Sequence, residues 1–207
     1  MKTEFECILS FLIKNKIELN EVNINKCYSI FFFGLDYFIN NYKIQVKKNE
    51  LFRILAIDNF ITDLKNARTS HSYCYKLQKP ENRKIYKGVK LYFNYKPFSG
   101  HSSRLGHYYR HLFLIVKSIV SPQNIELNES QKKEYLKILR AQLSNHEQAM
   151  LFYNWLGGYG KEWQSIEDSN GNRFFTKYKM IHNLWYIELF NDACIKDAIT
   201  YLKLEFE

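Results

Sequence analysis

The apolar residues of the first 66 positions recur with the spacing of amphipathic helices. Residues 3–14 and 26–43 follow this spacing, and residues 49–66 follow it most closely. Because side chains three and four positions apart share one face of a helix, each stretch presents a continuous apolar stripe for burial. The pattern therefore predicts three helices in this part of the chain.

The next stretch, residues 68–100, is less regular. Apolar and polar residues alternate from 89 to 93, as they do in a strand with one buried face. Pro97 and Gly100 then end whatever precedes them. We therefore expect a short strand or hairpin around residues 85–96.

Two strongly amphipathic helices are predicted after this stretch. The first covers residues 103–120 and ends at Pro122, and the second covers residues 129–155 and ends at Gly157 and Gly158. Proline cannot continue a helix, and glycine commonly follows the last helical residue. Weaker helical patterns cover residues 161–168 and 173–183. The apolar residues 185–205 also have helical spacing and are expected to pack on the rest of the chain.

These elements predict a mainly α fold in one helical-bundle-like domain that spans residues 1–207. Within it we distinguish a variable N-terminal helical part (1–100), a core of two helices (101–160) and C-terminal helices that pack on this core (161–207). The chain has only 8 Gly and 3 Pro residues, which agrees with long helices.

The composition adds a basic charge to this helical picture. The formal net charge is +9 and aromatic residues make up 17% of the chain. Such a charge attracts polyanions, of which nucleic acid is the commonest, and aromatic rings stack on bases. A lysine-rich surface from an AT-rich genome is an equally good explanation, so RNA or another nucleic acid is a candidate partner only.

The sequence gives no reason to expect a metal or another cofactor. The four cysteines form no C-x-x-C pair, and no H-E-x-x-H or G-x-S-x-G motif occurs. The N-terminus is a poor signal peptide, and the most apolar run, residues 28–39, is too short to cross a bilayer. We therefore expect a cytoplasmic protein without a membrane span.

Two arginines and two histidines share the polar side of the first strong helix. A helical wheel places Arg104, His107, Arg110 and His111 opposite the apolar face, where only Lys117 has the ordinary character of a solvated residue. Guanidinium groups bind phosphate, and imidazoles transfer protons near neutral pH. The alternative is a polar surface, or a structural contact with a neighbouring helix.

The same residues suggest one specific chemistry. Arg104 and His111 meet the loose R-x(4–6)-H pattern of HEPN ribonucleases and lie on one side of the helix. Arg140 and His146 also match this pattern, although a wheel separates them by about 120°. Short motifs of this kind often match by chance. If the protein is an enzyme, the pattern favours a metal-independent ribonuclease.

The second strong helix has polar residues beside its apolar stripe. Arg140, Glu147 and Asn154 recur at steps of seven, and Ser144 lies next to them. A charged pair beside an apolar seam is costly unless it is hydrogen-bonded. We therefore expect these groups either to fix this helix against the first one or to line a cleft with His107 and His111.

Residues 105–119 and 135–156 together resemble the phage abortive-infection family related to AbiC. The resemblance consists of a GHYFRxLY-like block, then LRAQLSxxE and LFYN, and its matching positions are Gly106, His107, Tyr108, Arg110, Leu112, Leu139, Arg140, Ala141, Gln142, Leu143, Ser144, Glu147, Phe152, Tyr153 and Asn154. It implies antiphage defence, in which the protein detects infection and arrests the host, or acts within a defence operon.

The wheel and the resemblance together define the candidate site. The candidate catalytic residues are His107, His111 and Arg104, and the candidate binding residues are Arg110, Arg140, Gln142, Ser144, Glu147, Asn154 and Tyr108.

Three functions remain open at this point. The protein is an effector or sensor that acts on nucleic acid through a His/Arg groove, a non-enzymatic module that binds a phage or host protein, or a HEPN-like endoribonuclease toxin. A phage protein as trigger and a partner from a defence operon are candidate partners. A further candidate is a helical subunit that assembles with a partner through residues 185–205, and a homo-oligomer is a candidate assembly.

Overall fold

The structure is a computed structural model, and its mainly helical architecture confirms the predicted fold class. It describes residues 1–45, 51–76, 85–91, 93–121, 127–165, 171–182, 184 and 193–202. These ranges contain eight α-helices and one antiparallel two-stranded hairpin. The chain divides into two compact units, Met1–Ser102 and Ser103–Glu207. The single-domain organisation stays a prediction.

Four helices and the hairpin form the first unit. The helices are α1 (Lys2–Lys14), α2 (Glu21–Phe33), α3 (Leu35–Gln45) and α4 (Leu51–Lys76). The helix predicted over residues 3–14 is confirmed as α1. The helix predicted from residue 49 is also confirmed, but α4 continues ten residues beyond the predicted end at residue 66.

The single helix predicted over residues 26–43 is wrong, because two helices cover this stretch. The first, α2, begins earlier, where the side chain of Asn20 accepts a hydrogen bond from the backbone N–H of Asn23 at 3.0 Å. It ends at Gly34, whose φ of +100° is unfavourable for any residue with a Cβ. The apolar spacing continues through this break, and the spacing alone therefore does not reveal where α2 ends.

Gly34 and Gly100 lie where two backbone segments cross at close range. A Cβ on Gly34 would lie 2.9 Å from the Ser99 carbonyl oxygen, and a Cβ on Gly100 would lie 2.7 Å from the Phe33 carbonyl. Two backbone hydrogen bonds of 2.9 Å flank the crossing, from Leu35 N–H to the Phe98 carbonyl and from His101 N–H to the Phe32 carbonyl. Glycine is therefore required at both positions.

The predicted hairpin is also present. Strands β1 (Ile85–Tyr86) and β2 (Val89–Lys90) pair antiparallel through a two-residue turn at Lys87 and Gly88. Both turn residues have positive φ, +46° and +76°, as a type I′ hairpin turn requires.

A buried carboxylate ties α1 to the segment that follows the hairpin. Glu4 has 0% exposure, and it accepts hydrogen bonds from the Phe98 N–H at 2.5 Å and the Tyr95 hydroxyl at 2.7 Å. The Nε2 atom of His101 lies 2.7 Å from the same carboxylate. Burial, and next the Glu4 carboxylate, raises the pKa of Tyr95, so its hydroxyl remains a donor. We call these four residues the Glu4 clamp.

Four helices and a 3₁₀ turn form the second unit. The helices are α5 (Ser102–Val120), α6 (Glu129–Ala141), α7 (Asn145–Leu156) and α8 (Ala193–Tyr201), and the 3₁₀ turn is Lys161–Trp163. The first predicted strong helix is confirmed as α5. Within the ranges that the structure describes, no helix is both long enough and apolar enough to cross a bilayer.

The continuous helix predicted over residues 129–155 is wrong. It is divided into α6 and α7 because Ser144 is the N-cap of α7. The Ser144 hydroxyl accepts a hydrogen bond from the Glu147 N–H, and the Glu147 carboxylate accepts one from the Ser144 N–H at 2.8 Å. This S-x-x-E capping box satisfies backbone donors that a continuous helix would use otherwise. Arg140, Glu147 and Asn154 are therefore not on one helical stripe.

The predictions for the C-terminal third have mixed outcomes. Of residues 161–168, only Lys161–Trp163 forms a helical turn, and residues 166–168 lie outside the described ranges. The helix predicted over 173–183 is wrong, because residues 174–177 form turns after an antiparallel bridge between Gln164 and Arg173. The predicted interface over 185–205 is described only from residue 193 to 202.

Candidate functional site

Helix α5 exposes a basic surface on the side opposite its packed face. Leu105, Tyr109, Leu112 and Val116 are buried, as an apolar stripe with helical spacing should be. Arg104, His107, Arg110 and His111 are all exposed. Helix α5 contains no aspartate or glutamate. We call these four exposed residues the α5 basic face. Its positive charge comes from Arg104 and Arg110, and no acidic residue lies on the same helix.

Tyr108 lies at the edge of this face and joins α5 to α7. Its hydroxyl donates a hydrogen bond of 3.1 Å to the Glu147 carboxylate. The adjacent Tyr109 hydroxyl donates one of 3.1 Å to the Met150 carbonyl. Of the polar residues on the two strong segments, Tyr108 and Glu147 are therefore in direct contact.

The Glu147 carboxylate is held in its charged form. Partial burial opposes the charge, but hydrogen bonds from Ser144 and Tyr108 outweigh burial and lower the pKa of Glu147. Conversely, burial and the nearby Glu147 charge raise the pKa of Tyr108. The hydroxyl and the carboxylate thus form a stable donor and acceptor pair at neutral pH, which suits positioning better than proton transfer.

The Ser144 cap has a measurable effect on stability. We expect Ser144→Ala to lower the free energy of unfolding by about 1 kcal/mol, because it leaves α7 without its side-chain cap. Thermal and urea denaturation followed by circular dichroism measure this change. The matched control is Ser130→Ala, on the exposed side of α6, which should stay within about 0.5 kcal/mol of the parent protein. Equal stability of Ser144→Ala and the parent would contradict the assigned cap.

The remaining predicted binding residues lie in different surroundings. The Arg140 Nη1 atom donates a hydrogen bond of 2.7 Å to the Lys179 carbonyl. Gln142 is exposed at the C-cap of α6. Asn154 is only 4% exposed, and its backbone carbonyl accepts hydrogen bonds from two backbone N–H groups of the turn that follows α7. A Cβ on Gly160, in that turn, would lie 2.3 Å from the Asn154 amide nitrogen, so glycine makes room for this side chain.

The structure therefore brings together some of the predicted residues and separates others. Hydrogen bonds connect Tyr108, Ser144 and Glu147. In the part of the chain that is described, no hydrogen bond joins His107 or His111 to this group. Within the same ranges, no cluster of three or more His, Cys, Asp or Glu side chains is arranged to hold a metal ion.

A cleft beside the break between α6 and α7 contains residues that sequence reasoning missed. It has a volume of about 360 Å³ and is lined by Lys137, Arg140, Ala141, Leu143, Asn145, Gln148 and His182. We call it the α6–α7 cleft. The Gln148 side chain accepts a hydrogen bond from the His182 N–H at 2.9 Å and donates one to the Leu143 carbonyl at 3.3 Å. The S-x-x-E motif at Ser144 was the sequence signal that indicated the break beside this cleft, since that motif marks the start of a new helix.

Comparison with known proteins adds one finding. Residues 100–189 match the model of a family described as "Putative phage abortive infection protein". No curated protein and no solved structure matches the chain. The matched range contains α5, α6 and α7, and with them the α5 basic face, the Tyr108–Glu147 link and the α6–α7 cleft. It also confirms the resemblance seen in residues 105–119 and 135–156: residues 100–189 of this chain are similar to the putative phage abortive infection family.

Proposed function

We propose that the protein acts in antiphage defence by binding nucleic acid through the α5 basic face. One observation carries the proposal: Arg104, His107, Arg110 and His111 are all exposed on a helix that has no acidic residue. The face lies inside the range that matches the abortive-infection family. The net charge of +9 adds a general attraction for polyanions.

The chemistry of the face suits the phosphate backbone. Arginine guanidinium groups form bidentate, charge-assisted hydrogen bonds with phosphate oxygens. Histidine ring N–H groups are additional donors. Contacts of this kind release counterions from the nucleic acid, and they do not require a particular base sequence. We therefore expect binding that depends strongly on salt and weakly on sequence.

Cleavage of RNA is the second candidate, and it has one supporting observation. Arg104 and His111 are both exposed and lie two turns apart on the same side of α5. Acid–base catalysis gains most from a site that excludes water and holds preorganised donors. His107 and His111 instead lie on the exposed surface of a helix. Phosphate binding does not require a site that excludes water, so it fits these surroundings better than catalysis does.

The binding proposal is tested by removing the two arginine charges. We expect Arg104→Gln/Arg110→Gln to weaken binding of a fluorescent 20-nucleotide RNA by roughly tenfold in low salt, because two phosphate contacts are lost. The slope of log K against log salt should fall by roughly 1 to 2 for the same reason. Fluorescence anisotropy over a salt titration measures both quantities.

The matched control also removes two positive charges, but from helices other than α5. Lys133 and Lys196 are exposed on α6 and α8, and Lys133→Gln/Lys196→Gln should weaken binding by less than about threefold, because only the general field is reduced. Equal losses in both double variants would contradict the assigned face. Absence of RNA and DNA binding at low salt would do so as well, and would favour a protein partner.

The same RNA tests the enzyme candidate. We expect it to remain intact on a denaturing gel after incubation with the protein in EDTA, because the exposed histidines are not enclosed in a site. Cleavage that disappears in His107→Asn/His111→Asn, with an unchanged melting temperature, would replace the binding proposal by a metal-independent ribonuclease.

A further inference from the structure

The α6–α7 cleft has a positively charged lining. Lys137 and Arg140 lie one turn apart on α6, and side chains three positions apart project from the same face of a helix. His182 lines the same cleft. None of the lining residues that the structure describes is an aspartate or glutamate. An anionic group in the cleft would therefore meet cations and hydrogen-bond donors from these residues.

The cleft is also held in shape by hydrogen bonds. The hydrogen bond from Arg140 to the Lys179 carbonyl orients the guanidinium group. Gln148 is buried and connects the backbone of Leu143 to that of His182. Donors that are positioned before a ligand arrives lose less entropy when it binds.

The size and lining of the cleft indicate the class of ligand. Its volume of about 360 Å³ lies near the lower end of the range of about 300–1,000 Å³ that is typical of small-molecule sites. Ala141 and Leu143 give it an apolar part, and Asn145 and Gln148 give it amide groups. This combination suits a phosphate group attached to a small, partly apolar body.

We propose that the α6–α7 cleft binds the phosphate of a nucleotide, with Lys137, Arg140 and His182 around the phosphate. The phosphate belongs either to a free nucleotide or to the 5′ end of a nucleic-acid strand, because both present the same phosphomonoester. The site uses none of the residues of the α5 basic face and does not depend on the function proposed for that face.

Isothermal titration of the full chain with AMP, ADP and adenosine tests the site. We expect AMP and ADP to bind at least tenfold more tightly than adenosine. Lys137→Gln should weaken AMP binding at least fivefold, whereas Lys133→Gln, an exposed residue of the same helix outside the cleft, should change it by less than twofold. Lys137 is exposed, so its substitution is expected to leave the fold intact, and His182→Asn is a second variant with the same expected direction.

A pair of oligonucleotides, with 5′-phosphate or 5′-hydroxyl ends, distinguishes the two sources of the phosphate. Preference for the phosphorylated strand that is lost in Lys137→Gln, without binding of AMP, assigns the site to a strand end. Binding of AMP assigns it to a free nucleotide. The proposal is overturned if none of the phosphates binds at millimolar concentration, if adenosine binds as well as AMP, or if Lys137→Gln and Lys133→Gln are equivalent. AMP binding that survives in Arg104→Gln/Arg110→Gln shows that the cleft and the α5 basic face are separate sites.

Discussion

Glu4→Leu is expected to lower the free energy of unfolding by about 3–5 kcal/mol, since it removes the carboxyl group at the centre of a buried hydrogen-bond network. The substitution leaves the Phe98 N–H, the Tyr95 hydroxyl and the His101 ring without their shared acceptor. Each buried donor that loses its partner costs about 1–3 kcal/mol, and leucine cannot replace any of these bonds. The loss should therefore exceed that of any substitution of an exposed carboxylate.

Thermal denaturation shows this effect as a lower melting temperature. A loss of this size corresponds to roughly 10 °C for a protein of about 200 residues. Asp58→Ala, which removes an exposed carboxylate from α4, is the matched control and should change stability by less than about 0.5 kcal/mol. If the melting temperature of Glu4→Leu equalled that of the parent protein and of this control, the Glu4 clamp would not stabilise the first unit.

Gly100→Ala is the second substitution for which we expect a large loss, of about 2–4 kcal/mol, from backbone strain and steric overlap together. Gly100 has a φ of +90°, which an alanine adopts only at a cost. The new methyl group would lie 2.7 Å from the Phe33 carbonyl. That carbonyl belongs to backbone and cannot rotate away as a flexible side chain does, and the adjacent His101 N–H bond to Phe32 restrains the crossing further.

Urea denaturation of Gly100→Ala and Gly106→Ala separates the strain at the backbone crossing from the change in stability that any glycine-to-alanine substitution causes. Gly106 lies inside α5, where alanine has a higher helix propensity by about 1 kcal/mol. We expect the two variants to change stability in opposite directions. A Gly100→Ala protein as stable as Gly106→Ala would show that the two segments do not cross as closely as described.

The helices themselves were largely predictable from apolar spacing, but their ends were less so. Helices α1 and α5 each have a regular stripe, and their predicted bounds lie within one residue of the observed ones. The breaks at Gly34 and Ser144 were missed because apolar residues continue on both sides of each. At Ser144 a local signal existed, since a serine followed three positions later by glutamate marks a helix start. At Gly34 the cause is a segment more than sixty positions away, at Gly100, which spacing does not reveal.

The candidate site was predictable to the extent that it lies on one helix. The wheel placed the α5 basic face correctly because helical periodicity alone decides which side chains are exposed. The hydrogen bond between Tyr108 and Glu147 joins the two segments, but the wheel does not predict it. The α6–α7 cleft was missed because it depends on the break and on His182, which follows turns where a helix was expected. The functional roles of all these residues stay predictions.

Glu147 has two tasks, because one oxygen of its carboxylate caps the start of α7 and the other accepts the Tyr108 hydroxyl. Under the proposed defence function, a genetic screen for loss of phage resistance would therefore recover Glu147 whether or not it ever touches a ligand. Tyr108→Phe breaks only the link between helices, and Ser144→Ala damages only the cap. Comparing the phenotypes of these two neighbours thus separates folding defects from defects in the proposed function at this position.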